Sequence, residues 1–270
     1  MLEFVKHGGW GIVWAALLLG PMAFKWQLRP AWSIPWIVGL GGIVGGIAGT
    51  FWGLPVTTWM GAWVQAAILV GASAAAIAWR FYRDPERVPP SDPLAILSPA
   101  DGVVLYVQRY ERGETPGGQK GHGRYSLKDF TGEDIFGDGG VVIGIGMSFL
   151  DVHVNRAPIG GRIELVKRIP GEFRSLKRPE ALLTNERALI VIRSGSNPVG
   201  IVQIASRLVR QIVSYVREGD TVAAGQRIGM IRFGSQVDLI LPSSLRPSVV
   251  CQPGQQVYAG GTIVARTEPA

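Results

Sequence analysis

Charge is the first thing this sequence lacks. Residues 30 to 79 contain no acidic or basic side chain, and the only charges before Arg80 are Glu3, Lys6, Lys25 and Arg29. An uncharged stretch of that length does not make an ordinary water-exposed surface and points to a bilayer. Cysteine is nearly absent too. Cys251 stands alone among 270 residues, which rules out an intramolecular disulfide and a cysteine-rich metal site; as an isolated thiol in a β-like run it reads as core. No block of lysine and arginine and no stacked-aromatic pattern marks a nucleic-acid surface. No lysine follows Lys177, so the last third of the chain offers no amine for a swinging cofactor. The net charge of +7, less the +2 carried before Arg80, leaves +5 on residues 80 to 270, a moderately basic part suited to an anionic lipid surface.

What is present begins with apolar runs. Residues 34 to 52 and 59 to 79 each have spanning length and are joined by a short turn containing Gly53 and Pro55. Gly41, Gly45 and Gly49 recur every four residues, as do Gly42 and Gly46, and the second run offers Ala66, Ala67, Ala74 and Ala78, a pattern for close packing of the two helices. Trp32, Trp36, Trp52, Trp59 and Trp79 lie near the ends, as interfacial aromatics should. A third run, residues 8 to 24, contains Pro21 and is barely long enough to cross; spanning and interfacial readings both fit it, and no small-x-small cleavage site follows. Residues 1 to 80 thus read as a membrane anchor. Lys25 and Arg29 precede the hairpin and Arg80, Arg83 and Arg87 follow it, so the positive-inside bias puts both flanks in the cytoplasm.

Residues 81 to 92, rich in proline and charge, read as a stiff linker, and residues 93 to 270 as a β-rich domain. Ala95 to Tyr106 makes two strands hinged at Asp101-Gly102. Residues 111 to 140 form a glycine-rich loop in which His122 is a solvated side chain, and Val141 to Met147 is a buried strand. The alternating glycines of that strand lack the third glycine and the helix of a dinucleotide fingerprint. Ile163–Lys167, Ala188–Arg193 and Gly200–Ile204 are further strands, with a helix hinted at Arg207–Ile212. Gly219, Val222, Gly225 and Ile228 recur at the same spacing as Gly254, Val257, Gly260 and Ile263. Paired units of this kind resemble the flattened β-sandwich of lipoyl and biotinyl carriers, and a membrane-tethered carrier or adaptor is the rival to an enzyme. A carrier needs a lysine on a hairpin tip, and none is there.

Three positions have the chemical types for nucleophilic work: Asp101 at the Asp-Gly turn, His153 after the buried strand, and Ser235 at the Gly234-Ser235 step. Singly, each also fits a plain structural role: a turn residue, a hydrogen-bonded core histidine, a bulge. Taken with Phe81-Tyr-Arg-Asp-Pro-Glu-Arg87, Ser98-Pro-Ala-Asp-Gly102, the run from Met147 to Pro158, Asn185-Glu-Arg187, Val216 to Asp220 and Arg232-Phe-Gly-Ser-Gln-Val-Asp238, they resemble the short, membrane-anchored bacterial type of phosphatidylserine decarboxylase over nearly all the soluble domain.

That resemblance implies a mainly β, sandwich- or barrel-like catalytic domain behind an α-helical transmembrane hairpin. It implies that Ser235 attacks the carbonyl of Gly234, that the chain splits into residues 1 to 234 and 235 to 270, and that Ser235 becomes a covalent pyruvoyl group. The pyruvoyl ketone would form a Schiff base with the amine of phosphatidylserine and accept the electrons released with carbon dioxide, giving phosphatidylethanolamine. By position His153 is the base of self-cleavage and the proton donor of turnover, with Asp101 orienting it. Longer members carry a second histidine where Arg156 stands here. Either His153 serves both duties, or Arg156 takes over charge stabilisation while another group moves the proton; arginine stays protonated, which favours the first. Another serine-headed lipid, such as an ether-linked one, is the alternative substrate. No metal is implied. The setting is a bacterial inner membrane with the catalytic domain on the cytoplasmic face, and a homo-oligomer is compatible.

Overall fold

The computed structural model describes residues 2–25, 30–51, 59–115, 125–148, 150–176, 178, 180–206, 211–231 and 235–268; of Ser235 the backbone alone is described. The chain divides into two compact units, Met1–Arg80 and Phe81–Ala270.

The first unit is helical: α1 (Leu2–Lys25), α2 (Pro30–Phe51) and α3 (Trp59–Tyr82), the last of which ends two residues into the second unit. All three are long and apolar enough to cross a membrane, so the run at residues 8 to 24 lies within a helix of spanning length. The glycine stripe of α2 serves a different neighbour from the expected one. A Cβ on Gly41 would lie 2.7 Å from the Ala15 Cβ and the Gly11 carbonyl oxygen, and one on Gly45 would lie 2.3 Å from the His7 carbonyl oxygen. The backbone approach is therefore made to α1, because α1 brings its own Gly11 and Ala15 to the same face. Leu69 of α3 packs with Ala15, Leu19 and Val44 in the small core of this unit.

The second unit is mainly β. Its strands run β1 (Ala95–Leu97), β2 (Gly102–Glu111), β3 (Glu114–Thr115), β4 (Tyr125–Ser126), then helix α4 (Leu127–Thr131), β5 (Gly139–Met147), β6 (Val154–Arg156) and β7 (Gly161–Ile169). Helix α5 (Ala181–Thr184) precedes β8 (Arg187–Ser194), β9 (Asn197–Ile204), β10 (Ile212–Ser214), β11 (Thr221–Val222), β12 (Arg227–Ile231) and β13 (Ser235–Pro242). After a 3₁₀ turn come β14 (Pro247–Val249), β15 (Gln256–Val257) and β16 (Ile263–Thr267). The helix hinted at residues 207 to 212 is not formed at its end, where β10 pairs with β12; residues 207–210 lie outside the described set, as does His122.

A ten-stranded sheet in the order β11-β7-β8-β9-β13-β5-β2-β3-β4, with β15 on β2, forms the body, and β13 sits at its middle between β9 and β5. That position explains why Leu239-Ile240-Leu241 is apolar without alternation: both faces are covered. One face meets two small sheets, β1-β16-β14 and β10-β12-β6, and the other packs under α4 and α5 around Tyr106, Phe130 and Leu182.

The sequence repeat is a structural one, and it is larger than it looked. Gly219, Gly225, Gly254 and Gly260 all have positive φ, between 68° and 95°, so each glycine of the repeat is there to turn the backbone where a side chain would strain it. Val222 pairs with Gly161 as Val257 pairs with Gly102. The Gly225 amide donates to Ala157 O and the Gly260 amide to Ser98 O, both at 2.8 Å. Leu97 N donates to Pro158 O at 2.8 Å and Arg156 N returns the bond to Pro99 O at 2.9 Å. Ser98-Pro-Ala-Asp-Gly102 and Ala157-Pro-Ile-Gly-Gly161 are thus equivalent segments of two exchanged half-units.

Candidate active site

Four features converge on the start of β13. Ser235, its first residue, pairs with Met147 at the end of β5, and His153 follows Met147 by a short loop. On the other side β12 ends at Ile231, whose amide donates to the His153 carbonyl at 3.1 Å. Ser235 is four Cα–Cα steps beyond Ile231, a reach of at most about 14 Å even when fully extended. Both flanks of the Gly234-Ser235 step are thus tied to the histidine; Gly234 itself lies outside the described residues.

His153 is wholly buried. Its Nδ1 lies 2.8 Å from the Asp151 carbonyl oxygen; a carbonyl only accepts, so Nδ1 carries the proton and the lone pair is on Nε2. The ring packs at 4.0 Å between centroids against Phe81, in an apolar cluster with Val152, Val154 and Met230. Burial pushes its pKa down to about 4, against the weaker opposing pull of the Asp151 carbonyl and the charges of Asp151 and Asp101. At neutral pH this is an uncharged imidazole in the tautomer of a general base. The strand that follows it is locked to the main sheet: buried Gln203 Nε2 donates to Asn155 Oδ1 at 2.7 Å.

Asp101 is placed differently from the expectation that it orients the imidazole. Its carboxylate, 2% exposed, takes a fork from Arg87: Nη1 to Oδ1 at 2.5 Å and Nη2 to Oδ2 at 2.8 Å. The Ala259 amide adds a third bond to Oδ1 at 2.8 Å. Of the described groups the Asp151 carbonyl and Phe81 touch the imidazole ring, and Asp101 reaches His153 through its charge.

Arg156 also has other business. Nη2 donates to Asp84 Oδ1 and to the Pro85 carbonyl, each at 3.0 Å, and Nη1 to the Gly225 carbonyl at 3.1 Å. A guanidinium spent on a carboxylate and two carbonyls in a buried corner holds the chain segment at residues 84 and 85.

Two groups of residues were not singled out from sequence. The first is the segment read as a linker. Phe81 is buried, Arg83 Nη2 donates to the Leu150 carbonyl at 3.3 Å, Asp84 pairs with Arg156 and Arg227, and Glu86 accepts from Arg227 at 2.6 Å. Proline and charge made it look solvated; here the charges are used against the domain. The second is Tyr106, Gln236 and Asp238. Asp238 is fully buried, Tyr106 Oη donates to its Oδ2 at 2.6 Å, and Gln236 Nε2 lies 2.7 Å from both its Oδ1 and the Tyr106 oxygen. Burial raises the Asp238 pKa to about 6 against these two bonds. Gly144 leaves the room, since a Cβ there would lie 2.4 Å from the Tyr106 ring. An acid inside an apolar central strand was the signal, because a buried carboxylate needs partners.

Comparison with known proteins shows the family. The family described as phosphatidylserine decarboxylase matches residues 74–265. A protein of Erythrobacter litoralis named phosphatidylserine decarboxylase proenzyme is 41% identical over 207 residues, 76% of this chain and 76% of that one. One of the same name in Novosphingobium aromaticivorans is 39% identical over 207 residues, 76% of this chain and 75% of its own. A protein of Methanothermobacter thermautotrophicus provisionally named archaetidylserine decarboxylase proenzyme is 44% identical over 190 residues, 70% of this chain and 80% of its own.

Proposed function

The chain belongs to the phosphatidylserine decarboxylase family, and from that premise we propose that it is a proenzyme that cuts itself between Gly234 and Ser235 and then converts phosphatidylserine to phosphatidylethanolamine and carbon dioxide. The observation that carries the site assignment is the buried, uncharged His153 tied by its backbone to β12 just before the Gly234-Ser235 step.

In self-cleavage, Nε2 of His153 takes the proton of the Ser235 hydroxyl as its oxygen attacks the Gly234 carbonyl. The peptide C–N bond breaks and an ester forms. Loss of the Ser235 α-proton then expels the Gly234 carboxylate, and addition of water with release of ammonia leaves a pyruvoyl group at the new terminus. The negative charge of Asp101 favours the imidazolium that arises when His153 is protonated.

The residues present fit that group. Ser235 opens a strand laddered to β5, the next residue is laddered to β9 as well, and Gln236 is held by Asp238 and Tyr106, so a new chain end there stays fixed. Once formed, the group supplies a conjugated carbonyl as electron sink. The protein's part in turnover is to keep water from His153 and to return a proton from it to the carbon that lost carbon dioxide. Arg156, bound to Asp84, stays outside this scheme, which leaves both duties to His153.

Two subunits, 1–234 and 235–270, follow from the cut. Three helices apolar enough to cross a membrane suit a substrate whose tails remain in a bilayer. The arginines after α3 support a cytoplasmic face of an inner membrane for the β unit. A second reading, another serine-headed lipid, is favoured by the archaeal relative's name.

Intact-mass measurement of the purified chain tests the proposal. Ser235→Ala and His153→Ala should both remain one chain and release no carbon dioxide. A wild-type chain that stays whole while active, or a fragment beginning elsewhere than position 235, refutes the scheme. Parallel assays with diacyl and ether-linked serine lipids decide the substrate.

A further inference from the structure

The segment Phe81–Arg87 begins with the last two residues of α3 and meets both proposed catalytic side chains. At its start the Phe81 ring lies 4.0 Å from that of His153. At its end Arg87 makes the bidentate pair with Asp101 and also donates from Nη1 to the Ala259 carbonyl at 2.7 Å, with its guanidinium 5.9 Å from the Tyr258 ring. Between them Arg83 holds the Leu150 carbonyl in the loop that leads to His153, and Asp84 ties the segment to Arg156 and Arg227. A spacer between an anchor and a domain needs none of these contacts.

We propose that this strap is a working part of the catalytic site: Arg87 is the positioning residue of Asp101, and Phe81 is the wall that keeps water from His153. The inference rests on the reading that Asp101 and His153 serve self-cleavage. A carboxylate with 2% exposure and three donors has one position available to it. Without Arg87 it keeps only the Ala259 amide and loses its counter-charge, and its distance to the histidine is no longer set. Lysine does not replace the fork, because an ammonium is a point donor and cannot bind both oxygens in one plane. Phe81 acts on the other partner. Among the described residues the groups around His153 include the Asp151 carbonyl, the charges of Asp151 and Asp101, and the apolar cluster of Phe81, Val152, Val154 and Met230. Removing the Phe81 wall admits water to a ring whose uncharged form depends on its exclusion.

The test follows the splitting of the full-length chain in nanodiscs by intact mass over time. Arg87→Ala should split at least about 30-fold more slowly, the scale expected when one member of a buried pair is removed. Arg87→Lys should fall between it and wild type. Guanidinium at low, non-denaturing concentration should restore part of the Arg87→Ala rate and leave Arg87→Lys unchanged. Glu164→Gln, whose partner Arg193 lies on an exposed edge away from the strap, should split as wild type does. For Phe81→Ala the acid limb of the rate-against-pH curve should move from about 4 toward the ordinary histidine value of about 6.5. Wild-type splitting by Arg87→Ala, slow splitting that guanidinium does not relieve, a loss matched by Glu164→Gln, or an unmoved acid limb in Phe81→Ala each overturns the proposal. A wild-type chain that fails to split at position 235 refutes the proposed function instead, so the two failures are told apart.

Discussion

The two half-units of the β domain share a backbone and differ in chemistry. In one, Ser98-Pro-Ala-Asp-Gly102 presents Asp101 to Arg87 and to the Ala259 amide. In the other, the equivalent run Ala157-Pro-Ile-Gly-Gly161 has Gly160 in place of the acid, and the residue before it in register with Leu97 is Arg156, bound to Asp84. The fold needs the turn glycines, the paired valines and the exchanged backbone bonds in both halves. It does not need a carboxylate in either. Symmetry is broken at Asp101, and the strap attaches where it is broken, which separates what the scaffold requires from what was added to it.

Erasing that difference is the strongest way to break the comparison. Asp101→Gly makes the first half like the second, and we expect self-cleavage to slow by about two to three orders of magnitude, the size of an electrostatic contribution in a buried site. Intact mass against time measures it; near-normal splitting would leave Asp101 a structural residue like its counterpart.

A smaller effect concerns pH. His153 binds its proton at about 4 in the folded chain against an ordinary value of about 6.5, so the unfolded chain holds more protons between those values and stability falls as pH drops from about 6.5 to 4. Asp238 has the opposite sign: its folded value near 6 lies above the ordinary value of about 3.9, so its stabilisation is full below about 4 and is lost as pH rises to 6. Each is worth about 3 kcal/mol by the usual conversion, and the two nearly cancel between pH 4 and 6. Denaturant unfolding should show a nearly flat wild type over that range. Asp238→Asn should unmask a curve rising with pH, and His153→Gln one falling with pH; equal slopes in both variants would contradict the assignment.

The smallest effect sharpens the comparison from the other side. The three atoms nearest a Cβ on Gly160 would be the Val222 carbonyl oxygen at 3.5 Å, the Ala224 amide nitrogen at 3.6 Å and the Ala223 Cα at 3.9 Å, all ordinary contacts. Gly160→Asp should therefore fold with a stability change within about 1 kcal/mol. Combined with Asp101→Gly it should not restore splitting, because Arg87 attends only the first half. Rescue by the double variant would show that the acid matters and its place does not.

Much of this was legible in the chain. The uncharged stretch identified the helices, short apolar runs and turn glycines identified the β domain, and the motif order around Asp101, His153 and Ser235 identified the family. What misled was composition read without partners. Pro85, Pro89 and Pro90 among charges read as a linker, whereas Phe81 is buried and Asp84, Glu86 and Arg87 are paired. The glycine stripe of α2 was assigned to α3 because the two runs are adjacent, and α1 presented the better-fitting glycines.

By itself the sequence determined which chemical types are on offer to the proposed reaction, since a hydroxyl beside glycine, a single histidine in the right run and an acid before glycine are types that no fold can supply in their place. The tertiary structure decided how those groups are charged and held. Exclusion of water by Phe81 and its neighbours makes His153 an uncharged base, and the fork from Arg87 gives Asp101 to the strap. Desolvation and hydrogen-bond pairing are properties of neighbours in space, and Phe81 meets His153, and Arg87 meets Asp101, only when the chain is folded.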